Sequence, residues 1–533
     1  MVKGFRQIAS LTMLSRIFGM VRDMSFAYFF GAGPLMDSWA IAFKIPNLAR
    51  RIFGEGAAAS SLIPVYSKEL ERDRKSAVEL GCTVVTVICA ILAGIVVAGE
   101  LFIWFFYKYI SDYTSTELVL KLSAVMLPYM IMICVVAILA GILNSHRHFA
   151  APAAAPVVLN VLIIGTLWIS GKWVDISADK QLFVVAGGVL AAGVGQLGMQ
   201  IWPLRAVGVH LRPCWAVRTE AFRKIIMLMG PMILGLTATQ LNTLSDDLIA
   251  KYFSGSLEKG EYLSFFGHMV KYPLWDGAVS QLYYSQRLYQ LPLGVLGISL
   301  ATAIFPVMSS DAAKKDYAKL LRTISIGIRG TIFIAFPATA GLILVARPLI
   351  SLLFEQGEFT RADTKSTAFT LMFYAVGLTG FFAQQIVLRA FYSLENAKMP
   401  AITAFTAVVT NIILNLTLMW FMGTGGLALS TAICSYLQVG MLVYYLYRIS
   451  KMPILAKIST TVGKSFAATV LMSGIGYLIL LAMSGLGSGK TMDFLRIASV
   501  VIVCGGFYAL AARVMKIEML SLVTGGKGVS DQL

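Results

Sequence analysis

Charge is what this sequence has least of. Only 13% of its 533 residues are Asp, Glu, Lys or Arg, about half the share of an ordinary soluble domain. Meanwhile 58% are hydrophobic and the mean hydropathy is +0.77. No stretch is polar enough to hide a sizeable soluble domain, so the chain reads as a polytopic membrane protein. Catalytic signatures are missing as well: no Walker A loop, no G-x-S-x-G elbow, no H-E-x-x-H and no C-x-x-C pair. The six cysteines (Cys82, Cys89, Cys134, Cys214, Cys434, Cys504) are scattered with no disulfide or metal spacing. The four histidines (His146, His148, His210, His268) fall in loops. These absences speak against an enzyme. A net charge of +17 would suit nucleic acid, but no soluble basic domain carries it, so no nucleic-acid partner is expected.

What is present is a succession of apolar stretches of about 20 residues. They fall at 5–31, 36–66, 78–107, 116–143, 152–171, 180–204, 222–253, 282–310, 322–346, 365–394, 399–421, 425–448, 461–485 and 492–514. The expected fold is an all-α polytopic membrane protein of about fourteen transmembrane helices. Lys3 and Arg6 precede the first stretch without a short apolar core and cleavage site, so it reads as a retained helix. An even count places both termini on one side. Basic residues crowd alternate loops, at Lys68, Arg72, Arg74 and Lys75, then Arg205, Arg212 and Arg218, then Lys314, Lys315 and Lys319, then Arg448 and Lys451. By the positive-inside rule, that side is cytoplasmic.

A repeat runs through the segments. Phe5-Arg6-Gln7-Ile8 echoes Phe222-Arg223-Lys224-Ile225, and Leu62-Ile63-Pro64-Val65 echoes Ile304-Phe305-Pro306-Val307. Pro152 through Asn160 echoes Pro400 through Asn411. Six helices plus six, both sets starting from the cytoplasm, make a parallel repeat with a central cleft between lobes. The expected division is a lobe over 1–217, a second lobe over 218–455, and two additional helices with a cytoplasmic tail over 456–533. Those last two helices either pack peripherally or extend a groove for a long lipid tail. The segment 254–281 falls on the outer side, and its aromatics suggest an interfacial helix or an ordered loop.

The few charges are concentrated. Arg16, Arg22, Asp23, Asp37, Lys44, Arg50, Arg51 and Glu55 lie in the first two apolar segments. At the bilayer centre each costs roughly 2.5–3.5 kcal/mol on an insertion scale. Asp37, Lys44 and Arg51 are successive sevens and Glu55 follows four later, which places all four within about 40° around a straight helix. Pro46 and Gly54-Glu55-Gly56 would bend that helix. Taken singly, Arg50 or Arg51 could be an interfacial residue snorkelling to headgroups. Taken together, the charges suit helix faces lining an aqueous cleft. Arg287, in YYSQRLYQLPLGV, adds a cation in the second lobe. Arginine forks grip phosphate oxygens bidentately, so the cluster predicts an anionic, phosphorylated head group. Asp246 and Asp247 on the seventh helix, Asn411 and Asn415 on the eleventh and Thr431 on the twelfth could hold a sodium ion, or the asparagines could join helices by hydrogen bonds.

The blocks SRIFGMVRD, FGAGPLMDSWAIAFKIPNLARRIFGEGAAASSLIPV, YYSQRLYQLPLGVLG, LFEQGEFTRAD and LRAFYSLENAKMP resemble the MurJ (MviN) lipid II flippases of the multidrug/oligosaccharidyl-lipid/polysaccharide exporter superfamily. The resemblance covers essentially the whole chain. It implies a bacterial inner-membrane protein that moves undecaprenyl-pyrophosphate-linked peptidoglycan precursor from the cytoplasmic to the periplasmic leaflet by alternating access. The family's substrate-binding arginines match Arg16, Arg22, Arg50 and Arg287, and its other functional charges match Asp23, Asp37, Lys44 and Glu55. Gln286 departs from some relatives that carry an acid before the arginine, so an ion pair that would steady Arg287 is missing or supplied elsewhere. The segment 254–281 is also longer than the family's usual. The expected partners are lipid II and membrane lipids, with peptidoglycan-synthesis or division proteins as further candidates, and the protein is expected to act as a monomer. No cofactor is expected beyond a coupling sodium ion or the membrane potential. The alternatives are an O-antigen-type flippase or a cation-coupled drug antiporter of the same superfamily, and, from another class, a membrane scaffold or embedded enzyme of wall synthesis.

Overall fold

A computed structural model describes the backbone of residues 2–109, 114–265, 267–452, 458–487 and 489–521, and their side chains except at 2–9, 55–60, 114, 115, 231, 234, 235, 238, 239 and 265. By their contacts the residues divide into two units. One comprises Met1–Lys251, Gly255–Lys271 and Gln356–Phe359; the other comprises Tyr252–Ser254, Tyr272–Glu355 and Thr360–Leu533.

The first unit contains α1 (Val2–Phe30) and α2 (Pro34–Ala49), then a π-helical stretch, Arg50–Ala58, that leads into α3 (Ala59–Arg72). It continues with α4 (Arg74–Tyr109), α5 (Thr114–Met126), α6 (Tyr129–Ser145), α7 (Ala150–Trp173), α8 (Ala178–Ala206) and α9 (Glu220–Tyr252). The helix α9 belongs here by packing. Its Phe222, Ile225 and Met229 are buried in one core with Val84, Ile88 and Leu92 of α4 and Tyr66 of α3. The aromatic-rich segment after α9 is an ordered antiparallel hairpin, Tyr262–Phe265 against His268–Lys271, with Tyr262 opposite Lys271 and Leu263 opposite Val270.

The second unit contains α10 (Ala278–Pro292), a second π-helical stretch, Leu293–Gly297, and α11 (Ile298–Ala313). After these come α12 (Tyr317–Phe354), α13 (Arg361–Val376), α14 (Leu378–Ser393), α15 (Lys398–Met422), α16 (Thr424–Ser450), α17 (Ile458–Ala482) and α18 (Lys490–Val514). It has two cores. In one, Ile304, Ile324 and Ile328 pack with Ile386, Phe391 and Leu442; in the other, Ile326, Phe333 and Val345 of α12 pack with Met472 of α17 and Tyr508 of α18.

Nine described helices, counting α10 with α11, are long and apolar enough to cross a membrane, and eleven spans result if each of two bent pairs is one. The pairs are α5–α6, bent by 43°, and α13–α14, bent by 41°. Pro128 breaks the first pair. Gly377 breaks the second, where an added Cβ would come within 2.8 Å of Ala432 on α16. Three further stretches, α1, α2 through α3, and α9, occupy the remaining segments expected from the sequence, in the expected order.

The repeat shows in the backbone as well. Both π-helical stretches fall in the second span of their half, each followed by an α-helix carrying the echoed proline, Pro64 or Pro306. Pro46 alone does not break α2; the change of winding starts at Arg50 and runs through Gly54 and Gly56. A π segment widens the helix and is frequent at functional sites. Five helix ends close with the same six-residue hydrogen bond, from His148 N–H to Leu143, Val209 to Leu204, Asp316 to Asp311, Asn396 to Phe391 and Ile517 to Ala512. Each is made possible by a left-handed residue, respectively Arg147, Gly208, Lys315, Glu395 and Lys516. Three of these are basic residues, Arg147, Lys315 and Lys516, whose left-handed backbone closes the helix end.

Candidate functional site

In the first unit, α1 lies along α7, and the contact is aromatic and polar. Tyr28 stacks on Trp168 with centroids 5.5 Å apart, and the Trp168 indole N–H donates to Ser25 Oγ at 3.0 Å. In this setting Arg22 is buried. Its Nε and Nη2 donate to Asp23 Oδ1 at 3.0 and 2.8 Å, and its Nη1 donates to Asn160 Oδ1 at 3.0 Å. Asn160 in turn donates through Nδ2 to the Ser15 carbonyl at 3.2 Å. A guanidinium taken out of water is tolerable only with its charge matched and its donors satisfied; Asp23 and Asn160 do both. Arg16, also on α1, is exposed.

The charged stripe of α2 begins where Pro34 and Asp37 sit in the first turn, both suited to a helix N-terminus. Asp37 is fully buried, and Trp39 and Phe43 stack beside it at 5.5 Å. Lys44 forms an ion pair with Asp247 of α9 and donates to the Thr243 carbonyl at 3.0 Å. Arg51 Nη1 donates to Gln240 Oε1 at 3.4 Å. The stripe therefore meets α9 at two successive turns. Arg50, at the start of the π segment, is half-buried. The Glu55 side chain lies outside the described residues.

In the second unit, Arg287 of α10 is half-buried, with its guanidinium 4.7 Å over the Tyr283 ring and Nη2 donating to Tyr283 Oη at 3.2 Å. Tyr283, one turn earlier, thus supplies a contact where the sequence lacks a neighbouring acid. Gln286 instead donates to Tyr374 Oη at 3.0 Å, and Tyr374 stacks on Tyr289, which stacks on Phe381. The aromatic cluster makes this stretch of α10 a rigid platform.

Of the residues considered for a sodium site, Asn411, Asn415 and Thr431 come together. Asn415 Nδ2 donates to Asn411 Oδ1 at 2.9 Å, and Asn411 Nδ2 donates to Thr431 Oγ1 at 3.3 Å, with both asparagines fully buried. Asp246 is buried in α9 of the first unit. The participants that sequence reasoning did not place are Asn160, Gln240 and Tyr283, and Asp247, considered there for a sodium ion, pairs with Lys44 instead. The repeat did carry a hint, because Asn160 and Asn411 are repeat-equivalent and each binds another helix.

A family model described as "Lipid II flippase MurJ" matches residues 26–497. Among similar curated proteins, the "Probable lipid II flippase MurJ" of Vibrio cholerae is 31% identical over 448 residues, which is 82% of this chain and 81% of that protein. Its namesake from Bdellovibrio bacteriovorus is 28% identical over 527 residues, 97% of this chain and 95% of that one. Among solved structures, a lipid II flippase MurJ in an inward closed conformation superimposes with a TM-score of 0.75 at 23% identity, covering 95% of this chain and 99% of that one. An inward-facing multidrug resistance MATE transporter of the MOP superfamily gives 0.61 at 14% identity, covering 84% and 98%. Those two likenesses establish the fold, and the sequence matches establish the family: the chain belongs to the MurJ lipid II flippase family.

Proposed function

We propose that this protein carries lipid II from the cytoplasmic to the periplasmic leaflet by alternating access, as a transporter without a catalytic residue, with both termini in the cytoplasm. The observation that carries the reading is the set of braced guanidinium groups on a family-wide sequence match. Arg22 is held by Asp23 and Asn160, and Arg287 is held over Tyr283. Preorganised arginines bind phosphate oxygens with little ordering cost on arrival. Arg16, Arg22, Arg50 and Arg287 are assigned to the pyrophosphate. Asp23 and Asn160 position Arg22, while Asp37, Lys44, Arg51 and Glu55 complete the charge balance.

The decisive experiment is lipid II translocation in proteoliposomes. Wild type flips the lipid, whereas Arg22→Ala and Arg287→Ala lose transport by at least tenfold while remaining folded. Normal transport by both variants removes the assigned site. Coupling is read in the same vesicles by imposing a membrane potential or a sodium gradient separately. Loss of sodium stimulation in Asn415→Ala supports an ion held by Asn411, Asn415 and Thr431; unchanged stimulation rejects it. A cationic-drug antiporter needs acidic ligands for its substrate, whereas the residues assigned to the substrate are arginines.

A further inference from the structure

The second unit carries a basic cavity that the proposed transport function does not use. It has a volume of about 790 Å³ and lies where the end of α12, the start of α13 and the α17–α18 turn meet. Its cations are Arg347, Arg361, Lys490 and Arg496, and its acids are Glu355 and Asp493.

Both acids are already engaged. Asp493 accepts from Arg496 Nη1 at 3.1 Å and from Ser351 Oγ at 2.7 Å. Glu355 accepts from Thr364 Oγ1 at 2.8 Å and lies 3.5 Å from Arg361 Nε. Arg496 is bound further, by Nη2, to the carbonyls of Met483 and Gly487 at 3.1 and 2.8 Å. It holds the turn closed. Arg347 differs from these: its guanidinium makes no hydrogen bond or ion pair to any described residue, and it faces the cavity.

Depth tells what Arg347 meets. From Gly330 to Ala346, α12 has no charged residue, a run of about 25 Å at 1.5 Å per residue, close to the hydrocarbon thickness. The run from Ile497 to Ala512 on α18 is likewise uncharged. Arg347 and Arg496 therefore stand at one boundary between hydrocarbon and headgroups, the level of lipid phosphates. Leu344 and Leu480 line the cavity on its apolar side, and Leu478, Leu481, Phe494 and Leu495 are exposed on the neighbouring helices. Phosphate-seeking cations beside an exposed apolar wall suit an amphiphile. With both carboxylates engaged, a zwitterionic headgroup finds no counter-charge for its own cation, while an anionic one meets four cations against two acids.

We propose that this cavity binds the phosphodiester headgroup of an anionic phospholipid, with Arg347 and Lys490 as phosphate ligands and the acyl chains against Leu344 and Leu480. The proposal does not depend on what the protein transports. The test is thermal unfolding of the delipidated full-length chain in detergent, titrated with phosphatidylglycerol, phosphatidylcholine or inorganic phosphate. Phosphatidylglycerol is expected to raise the Tm of wild type in a saturable way, with phosphatidylcholine and phosphate well below it. Arg347→Gln is expected to weaken the phosphatidylglycerol response about tenfold, Lys490→Gln less, and Arg347→Lys to keep most of it, while Arg448→Gln on another loop leaves it unchanged. If Arg347→Gln does not fold, Lys490→Gln alone decides. Equal responses to the two lipids, a wild-type response in the variants, or a response reproduced by inorganic phosphate would each overturn the assignment.

Discussion

A buried charge is only as tolerable as its partner. Lys44 and Asp247 illustrate this, since the Asp247 side chain is 4% exposed and Lys44 is its ion-pair partner across helices. Removing one member of such a pair leaves a charge stranded in low dielectric, which costs more than the pair contributed. Lys44→Ala is expected to destabilise the protein by about 3 kcal/mol. Lys44→Ala with Asp247→Ala is expected to recover part of that loss, and thermal unfolding of the single and double variants measures the difference. A double-variant loss equal to the sum of the two single-variant losses would mean that the pair is not coupled. The same logic makes Asn160 more than packing: without it, Arg22 keeps Asp23 but loses the contact that ties it to α7. The charges themselves were legible in the sequence, because rare ionisable residues stand out in apolar segments. Their partners were not, because an asparagine or tyrosine in such a segment has many roles and spacing alone does not choose among them.

Among the elements, the π-helical stretch Arg50–Ala58 is the most demanding. Gly54 is buried within it, and an added Cβ would lie 2.8 Å from the Ala137 Cβ on α6. Gly54→Val therefore pushes the segment off α6, with an expected cost of about 1–3 kcal/mol and a displacement of Arg50 and Arg51, which share its winding. Lower Tm together with lower lipid II transport is the expected result; an unchanged Tm would show that the segment relaxes freely. The junction after α6 offers a pH test. His146 Nε2 lies 3.1 Å from Tyr66 Oη, and burial, helped by the positive charge of Arg74, holds the imidazole below its ordinary range. The unfolded chain then binds a proton more readily than the folded one, so stability is full above pH about 6.5 and falls as pH drops through the folded pKa. Wild type is expected to lose Tm across that window more steeply than His146→Gln. The bend of the second span was anticipated from Pro46 and the glycines, but its π winding was not, because periodicity reports which face is polar and not how many residues make a turn.

In the whole molecule, the last two helices are joined to the rest of their unit through α12. Arg329 donates to Thr461 Oγ1 at 2.9 Å and to Glu518 at 2.7 Å, and Tyr508 Oη donates to the Phe333 carbonyl at 2.8 Å. A chain ending before α17 keeps the core of Ile304, Ile324 and Phe391 but strips Arg329 of both partners. Its Tm is expected to fall by several degrees and to recover in part when Arg329→Leu removes the stranded charge; no recovery would place the loss in apolar packing alone. By itself the sequence determined the fourteen apolar segments, their order, the basic loops, the internal repeat and the presence of charges within the first two segments. These are local properties of hydropathy and charge, and they persist whichever helices become neighbours. The tertiary structure alone decided that α9 packs with the first six segments, that Lys44 meets Asp247, that Arg22 meets Asn160 across 138 residues, and that Tyr283 bears on Arg287. Those outcomes depend on which faces of which helices pack together, and that is settled by side-chain shape and desolvation in three dimensions.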